Sequence, residues 1–75
     1  MNDPRDAAAA LLDDAAEELR LAAAHLRDAA NHFRNREVPR ACAHQWAARG
    51  HLLNAVAAMD EQAREHAARS STAEE

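Results

Sequence analysis

Hydrophobic residues recur every seven positions along the first half of the chain. One column is large and apolar, and two neighbouring columns are alanine; in heptad notation they occupy positions d, a and g. The d column is Leu12, Leu19, Leu26 and Phe33; the a column is Ala9, Ala16, Ala23 and Ala30; the g column is Ala8, Ala15, Ala22 and Ala29. A strict seven-residue repeat predicts a helix with a left-handed coiled-coil seam.

The second half repeats this scheme less regularly. Position d holds Leu52 and Met59, a holds Val56 and Ala63 with Arg49 as the polar exception, and g holds Ala41, Ala48 and Ala55. Between the halves, Pro39 disfavours helix at Val38 and suits the first turn of a new helix. The sequence therefore predicts one all-α domain over 1–75, an antiparallel hairpin with an alanine-rich coiled-coil seam. We expect helix one over about 4–35, a turn over about 36–38, helix two over about 39–69 and a frayed tail over 70–75.

Two local features refine this hairpin. Asp3 and Pro4 form a start signal for helix one, since an aspartate caps a helix and a proline suits its first position. Gly50 lies inside helix two, where glycine is unfavourable, so we expect either close packing or local flexibility there.

A hairpin of this composition should need a second copy. Seventy-five residues bury a small core, and alanine contributes little apolar area to it. Four larger apolar residues fall outside the seam and are candidate interface residues: Trp46, Leu53, Leu21 and Leu11. Packing these flanks together would give a homodimeric four-helix bundle. The alternative is that Trp46 and Leu53 fold over the seam of their own hairpin.

Charge and composition limit the partners. The formal net charge is −4, which argues against nonspecific binding to nucleic acid or to a membrane surface. Cys42 is the single cysteine and cannot form an intrachain disulfide, which favours a reducing compartment. The N-terminus lacks the apolar segment of a signal peptide, and the apolar stretches are too short to span a bilayer. We therefore expect a cytoplasmic protein, and the use of arginine without lysine indicates a bacterial genome rich in GC.

Four histidines form the most distinctive chemical pattern. His25 and His32 are seven residues apart in helix one, and His44 and His51 are seven apart in helix two, all at position c. A hairpin turning near residue 38 places His25 level with His51 and His32 level with His44, on one side of the molecule. Each cross-helix pair could supply two nitrogen ligands to a transition metal, with a second hairpin completing each of two sites.

The alternative is that these histidines are structural residues of a half-buried surface, or a pH-sensitive interface. We expect no regularly spaced carboxylate to accompany these histidines, and the Glu-x-x-His pattern of di-iron bundles is missing. Both points weigh against metal as the primary function.

Arginines cluster toward the turn. Five of them are candidate contacts for nucleic-acid phosphates: Arg20, Arg27, Arg34, Arg36 and Arg40. The predicted hairpin dimer resembles in architecture the plasmid copy-number regulator Rop, a helical-hairpin dimer that binds RNA. No sequence motif matches. The alternative is a solvated flank, and the net charge makes nucleic acid the weaker hypothesis.

Catalytic chemistry has little support in this sequence. Tyrosine is lacking, the hydroxyl side chains all lie at 70–72, and Cys42 does not face His44 on a helix. We therefore predict a small non-catalytic protein-interaction or regulatory module that acts as a homodimer. A histidine-lined metal-binding bundle is the alternative, and a Rop-like nucleic-acid-binding hairpin is the third hypothesis.

Overall fold

The computed structural model describes residues 3–70, which form two helices packed as a hairpin. Helix α1 spans Pro4–Arg34 and helix α2 spans Val38–Arg69, and residues 3–70 contain no strand. The molecule measures 58 × 28 × 12 Å, so it is one helix thick in its shortest dimension. The predicted frayed tail lies, from residue 71 onward, outside the described residues.

Helix α1 begins at the predicted start signal. Asp3 adopts an extended conformation, and its Oδ1 accepts a hydrogen bond of 2.8 Å from the Arg5 backbone N–H. Pro4 follows at the first helical position, where its missing N–H leaves no bond unmade. The guanidinium of Arg5 also contacts the Asp3 carboxylate, and these hydrogen bonds lower the pKa of Asp3.

The turn is a tight helix terminus in which Arg36 adopts a left-handed conformation, with φ of 61°. The backbone N–H of Glu37 donates to the His32 carbonyl at 2.8 Å, and that of Arg36 donates to the Phe33 carbonyl at 3.0 Å. These two bonds are the Schellman arrangement, which usually places glycine at the left-handed position. Val38, predicted to lie in the turn, is instead the first residue of α2, because Pro39 is accommodated within the first helical turn.

Among residues 3–70, the buried residues are all alanines, and they lie between the two helices. The six buried residues belong to the g columns, and we call them the alanine seam: Ala15, Ala22, Ala29, Ala41, Ala48 and Ala55. Ala41 and Ala55 are completely inaccessible to solvent. The predicted alanine-rich seam is therefore present, and methyl groups set the distance between the helices.

The large apolar column does not lie in this seam. Leu12, Leu19, Leu26 and Phe33 are 42–53% exposed, along the edge of the groove between the helices. We expected the d and a columns to share the seam with g. A two-helix contact is narrow, and the close approach that alanine permits centres it on g alone.

Two positions in α2 depart from the regular pattern. Gly50 is exposed, and an added Cβ would meet no side chain and no atom of α1 within 4 Å, so close packing does not explain this glycine. Gln62 continues the g column after Ala55, and its Oε1 is buried without a hydrogen-bond partner.

Candidate functional site

Four histidines converge on one side of the alanine seam, as the sequence predicted. His25 and His32 come from α1, His44 and His51 come from α2, and all four are half-buried. Because position c adjoins g on each helix, the close contact of the alanines brings the imidazoles of the two helices together. We call these four residues the histidine ladder.

The rings of the ladder stack alternately from the two helices. The predicted pairs are both present, with ring centroids 5.4 Å apart for His25 and His51 and 5.2 Å apart for His32 and His44. A third contact joins them, since His25 and His44 are also 5.2 Å apart. The Nδ1 atoms of His25 and His44 are separated by 2.9 Å, so one of them donates a hydrogen bond and the other accepts it with its lone pair.

A glutamate closes each end of the ladder. At one end, His51 Nδ1 donates to Glu18 Oε2, and Glu18 Oε1 accepts a hydrogen bond of 3.3 Å from Asn54. The Glu18 carboxylate thus bridges α1 to two successive turns of α2.

At the other end a glutamate–histidine contact again joins the two helices, but the second partner of this glutamate lies on the helix that it precedes. His32 Nδ1 lies 3.3 Å from Glu37 Oε1, and Glu37 Oε2 accepts a hydrogen bond of 3.0 Å from Arg40. Glu37 is the residue before α2, and its side chain forms no cap to that helix because it serves the ladder.

These contacts follow an approximate twofold symmetry that is written in the sequence. Each helix carries Glu-x6-His-x6-His, as Glu18, His25 and His32 in α1 and as Glu37, His44 and His51 at α2. Our expectation that no carboxylate recurs among the histidines was wrong, because each glutamate precedes its histidine pair by one heptad. This seven-residue spacing is the signal that could have identified Glu18 and Glu37.

Asp28 adds a carboxylate to the middle of the ladder. One ligand atom each from His25, Asp28 and His44 can be chosen such that all three lie within 4.8 Å of one another. Asp28 follows His25 by three residues, which places both on the same face of α1. Asp28 is not among the site residues predicted from the sequence, although its three-residue spacing from His25 is visible there.

The opposite side of the seam is apolar. Seven large side chains that are 39–53% exposed define what we call the apolar face: Leu12, Leu19, Leu26, Phe33, Leu52, Val56 and Met59. A groove of about 350 Å³ runs between the helices on this face, and its lining includes Leu19, Leu26, Leu52 and the seam residue Ala48. The protein therefore presents a polar imidazole side and an apolar side.

The predicted interface residues differ in their exposure. Trp46 is 72% exposed and Leu53 is 53% exposed, so neither folds over its own hairpin. Trp46 adjoins the groove, because Gln45 and Arg49 line both the groove and a second depression beside the indole. Leu11 and Leu21 are half-buried, and are less available than Trp46.

Several of the candidate arginines are engaged within the chain. Arg20 contacts Glu17 at 2.7 Å, Arg40 contacts Glu37 at 3.0 Å, and Arg34 donates to the Asn31 side chain. The hydrogen bonds from Arg20 lower the pKa of the Glu17 carboxyl. Arg27 and Arg36, the other two residues of the predicted set, are exposed.

Comparison with known proteins gives no relative: no family model, curated protein or solved structure matches this chain. Neither helix, over the described residues, combines the length and apolar character needed to cross a membrane. The two sides of the hairpin are therefore the features that point to a function.

Proposed function

We propose that this protein is a small non-catalytic interaction module that acts as a homodimeric four-helix bundle, formed when two hairpins join their apolar faces. One observation carries the proposal. No side chain larger than a methyl group is buried among residues 3–70, while seven large apolar side chains remain about half exposed on one face.

The size of the apolar face suits a dimer. Burying the exposed half of one such side chain contributes about 1 kcal/mol, so seven from each copy contribute about 14 kcal/mol. Association of two proteins costs roughly 4–15 kcal/mol in lost freedom of motion. The two quantities are comparable, and Trp46 and Leu53 add further apolar area at the edge of the same face.

Charges beside this face favour a second copy over an unrelated helix. The e column of α1 is acidic at its start and basic at its end, and all its members are exposed: Asp6, Asp13, Arg20, Arg27 and Arg34. A twofold axis through the level of Arg20 would place Asp13 of one copy opposite Arg27 of the other. The same axis would place Asp6 opposite Arg34, so the column is complementary to itself.

Arg20 lies on this axis, where it would meet its own symmetry mate. Its charge is already balanced within the chain by Glu17 at 2.7 Å. Arg20 lies at the same height along the hairpin as about residues 49–52 of α2, because the chain folds back through residues 35–37. Trp46 and Leu53 lie on either side of that level, so the same axis brings Trp46 of one copy toward Leu53 of the other.

The proposal is tested by a charge exchange measured with analytical ultracentrifugation or native mass spectrometry. Asp13→Arg creates two like-charge pairs per dimer, and at about 0.5–1 kcal/mol each the dimer should dissociate roughly 5- to 30-fold more readily. Asp13→Arg combined with Arg27→Asp should restore the original affinity. Asp14→Arg is the matched control, because it makes the same charge change one position outside the column.

Two results would contradict this function. A wild-type chain that is monomeric and fully helical at micromolar concentration would exclude the bundle. A dimer that responds equally to Asp13→Arg and Asp14→Arg would exclude the proposed register while leaving another dimer to be sought.

A further inference from the structure

We infer that His25, Asp28 and His44 form a binding site for one divalent transition-metal ion within each hairpin. The ligand atoms of the three side chains already lie within 4.8 Å of one another. The site is made from residues of a single chain, so it does not depend on the proposed dimer. It also differs from the two shared sites that the heptad spacing suggested.

The inner histidine pair has the separation that a metal ion requires. A metal–imidazole bond is about 2.0–2.1 Å long, so two such bonds at a right angle place their nitrogens about 2.9 Å apart. The Nδ1 atoms of His25 and His44 are separated by 2.9 Å and their ring centroids by 5.2 Å, so the two rings meet end-on and each must turn to direct its lone pair at a shared ion. Right-angle coordination by nitrogen and oxygen is typical of Cu²⁺ and Ni²⁺.

At least one lone pair already points into this gap. Two Nδ1 atoms at 2.9 Å can share one proton, and the accepting nitrogen is then unprotonated. An ion would replace the shared proton and bind both nitrogens, so metal uptake would release at most one proton from this pair.

Asp28 supplies an anionic oxygen to the same ion. Its carboxylate is exposed and makes no salt bridge with another residue of the 3–70 range, in contrast to Glu17, Glu18 and Glu37. Exposure also leaves room for water to complete the coordination. The site would therefore be open on one side rather than a closed structural centre.

The outer histidines hold the inner pair in place and are not ligands in this proposal. The Nδ1 atoms of His51 and His32 are directed to Glu18 and Glu37 respectively. Their rings stack on His25 and His44 at 5.4 and 5.2 Å, which fixes the ring planes of the inner pair. The proposed site uses only the inner pair and therefore predicts one ion per chain, with the Nδ1 atom of each outer histidine facing a carboxylate.

The test is titration of the full chain with Cu²⁺, Ni²⁺ and Zn²⁺ after treatment with a chelator, followed by calorimetry and native mass spectrometry. We expect one ion per chain, with Cu²⁺ and Ni²⁺ bound more tightly than Zn²⁺. At an ion concentration 100 times the dissociation constant, the ratio of folded to unfolded protein should rise about 100-fold. Electron paramagnetic resonance of the Cu²⁺ form should show coupling to two imidazole nitrogens.

Variants distinguish this site from nonspecific binding of metal ions by other histidines. His44→Asn should abolish stoichiometric binding, and Asp28→Asn should weaken it without altering the helices, because Asp28 is exposed. His66→Asn is the matched control, since His66 is an exposed histidine of the same helix outside the ladder, and it should bind as the wild type does.

Three outcomes would overturn the inference. These are unchanged affinity in both Asp28→Asn and His44→Asn, loss of binding in His66→Asn, or two ions per chain in the wild type. Circular dichroism of each variant identifies any that fail to fold. If His44→Asn fails to fold, the exposed Asp28→Asn variant and the resonance of wild-type Cu²⁺ protein still decide the question. The stoichiometry is counted per chain, so a monomeric protein would refute the proposed bundle without affecting this test.

Discussion

Replacing Ala55 by leucine should reveal how strictly the alanine seam sets the distance between the helices. Ala55 is 0% exposed, so the three added carbon atoms have no space unless the helices separate or the backbone shifts. Overpacking of this kind costs about 1–3 kcal/mol. For a domain of this size, about 2 kcal/mol corresponds to a decrease of roughly 8–16 °C in the melting temperature.

The matched control is Ala57→Leu, which makes the same substitution two residues along on an exposed position of α2. Leucine and alanine have similar helix propensities, so this variant should melt close to the wild type. Both are followed by circular dichroism at equal protein concentration, because a dimer's melting temperature depends on concentration. Equal stability of the two variants would refute the conclusion that the alanine seam is the tight contact of the fold.

Four smaller predictions follow from individual positions, each measured by urea or thermal unfolding. Gly50→Ala should stabilise the protein by about 0.8–1 kcal/mol, because the added methyl meets nothing, and a loss of stability would mean that another surface packs there. Arg36→Gly should stabilise it by about 1–2 kcal/mol by relieving the left-handed backbone, and a loss would show that the arginine side chain outweighs this strain. Gln62→Ala should stabilise it by about 1–3 kcal/mol by removing an unpaired buried oxygen, whereas Gln62→Glu should do the opposite. Asp3→Ala should lower the melting temperature at neutral pH, and the difference from the wild type should vanish in acid. Hydrogen bonds from Arg5 lower the folded-state pKa of Asp3, so the stabilisation is present above the ordinary pKa of Asp3 and is lost as the pH falls through the lowered value.

The helices and their pairing could be predicted from the sequence because several local signals agree. The heptad columns, the Asp3-Pro4 start and the Val38-Pro39 break all indicate the same hairpin. The helix boundaries differ from the prediction at the turn, where α2 begins at Val38. A proline in the first turn of a helix makes either boundary sterically acceptable, and the sequence does not decide between them.

The depth of each column within the seam could not be read from the heptads. Positions g and d both adjoin the contact, and transfer energies favour burying Leu19 rather than Ala22. In the hairpin the reverse holds, because two facing alanines allow an approach that two leucines would prevent. Hydrophobicity identifies the apolar columns, whereas side-chain volume decides which column lies at the centre.

The histidine contacts were predicted in part, for a reason that lies in the turn. If the chain turned at residue 38, residues at the same height on the two helices would have numbers that sum to 76. This rule predicts the two stacked pairs. The chain actually turns through residues 35–37, which shifts the level so that each inner histidine lies between two partners on the other helix. His25 therefore contacts both His51 and His44, and the contact with His44 is the one that joins the ladder.

The two proposals are linked through the alanine seam, because positions c and d lie on opposite sides of g on both helices. The close approach that brings His25 and His44 to 2.9 Å is the same approach that pushes Leu19 and Leu52 out toward solvent. Widening the seam should therefore weaken metal binding and bury more of the leucines within one hairpin. An Ala48→Leu variant that loses metal affinity and dimer affinity together, while Ala43→Leu on the exposed surface of α2 loses neither, would show that both sides of the protein depend on this one spacing.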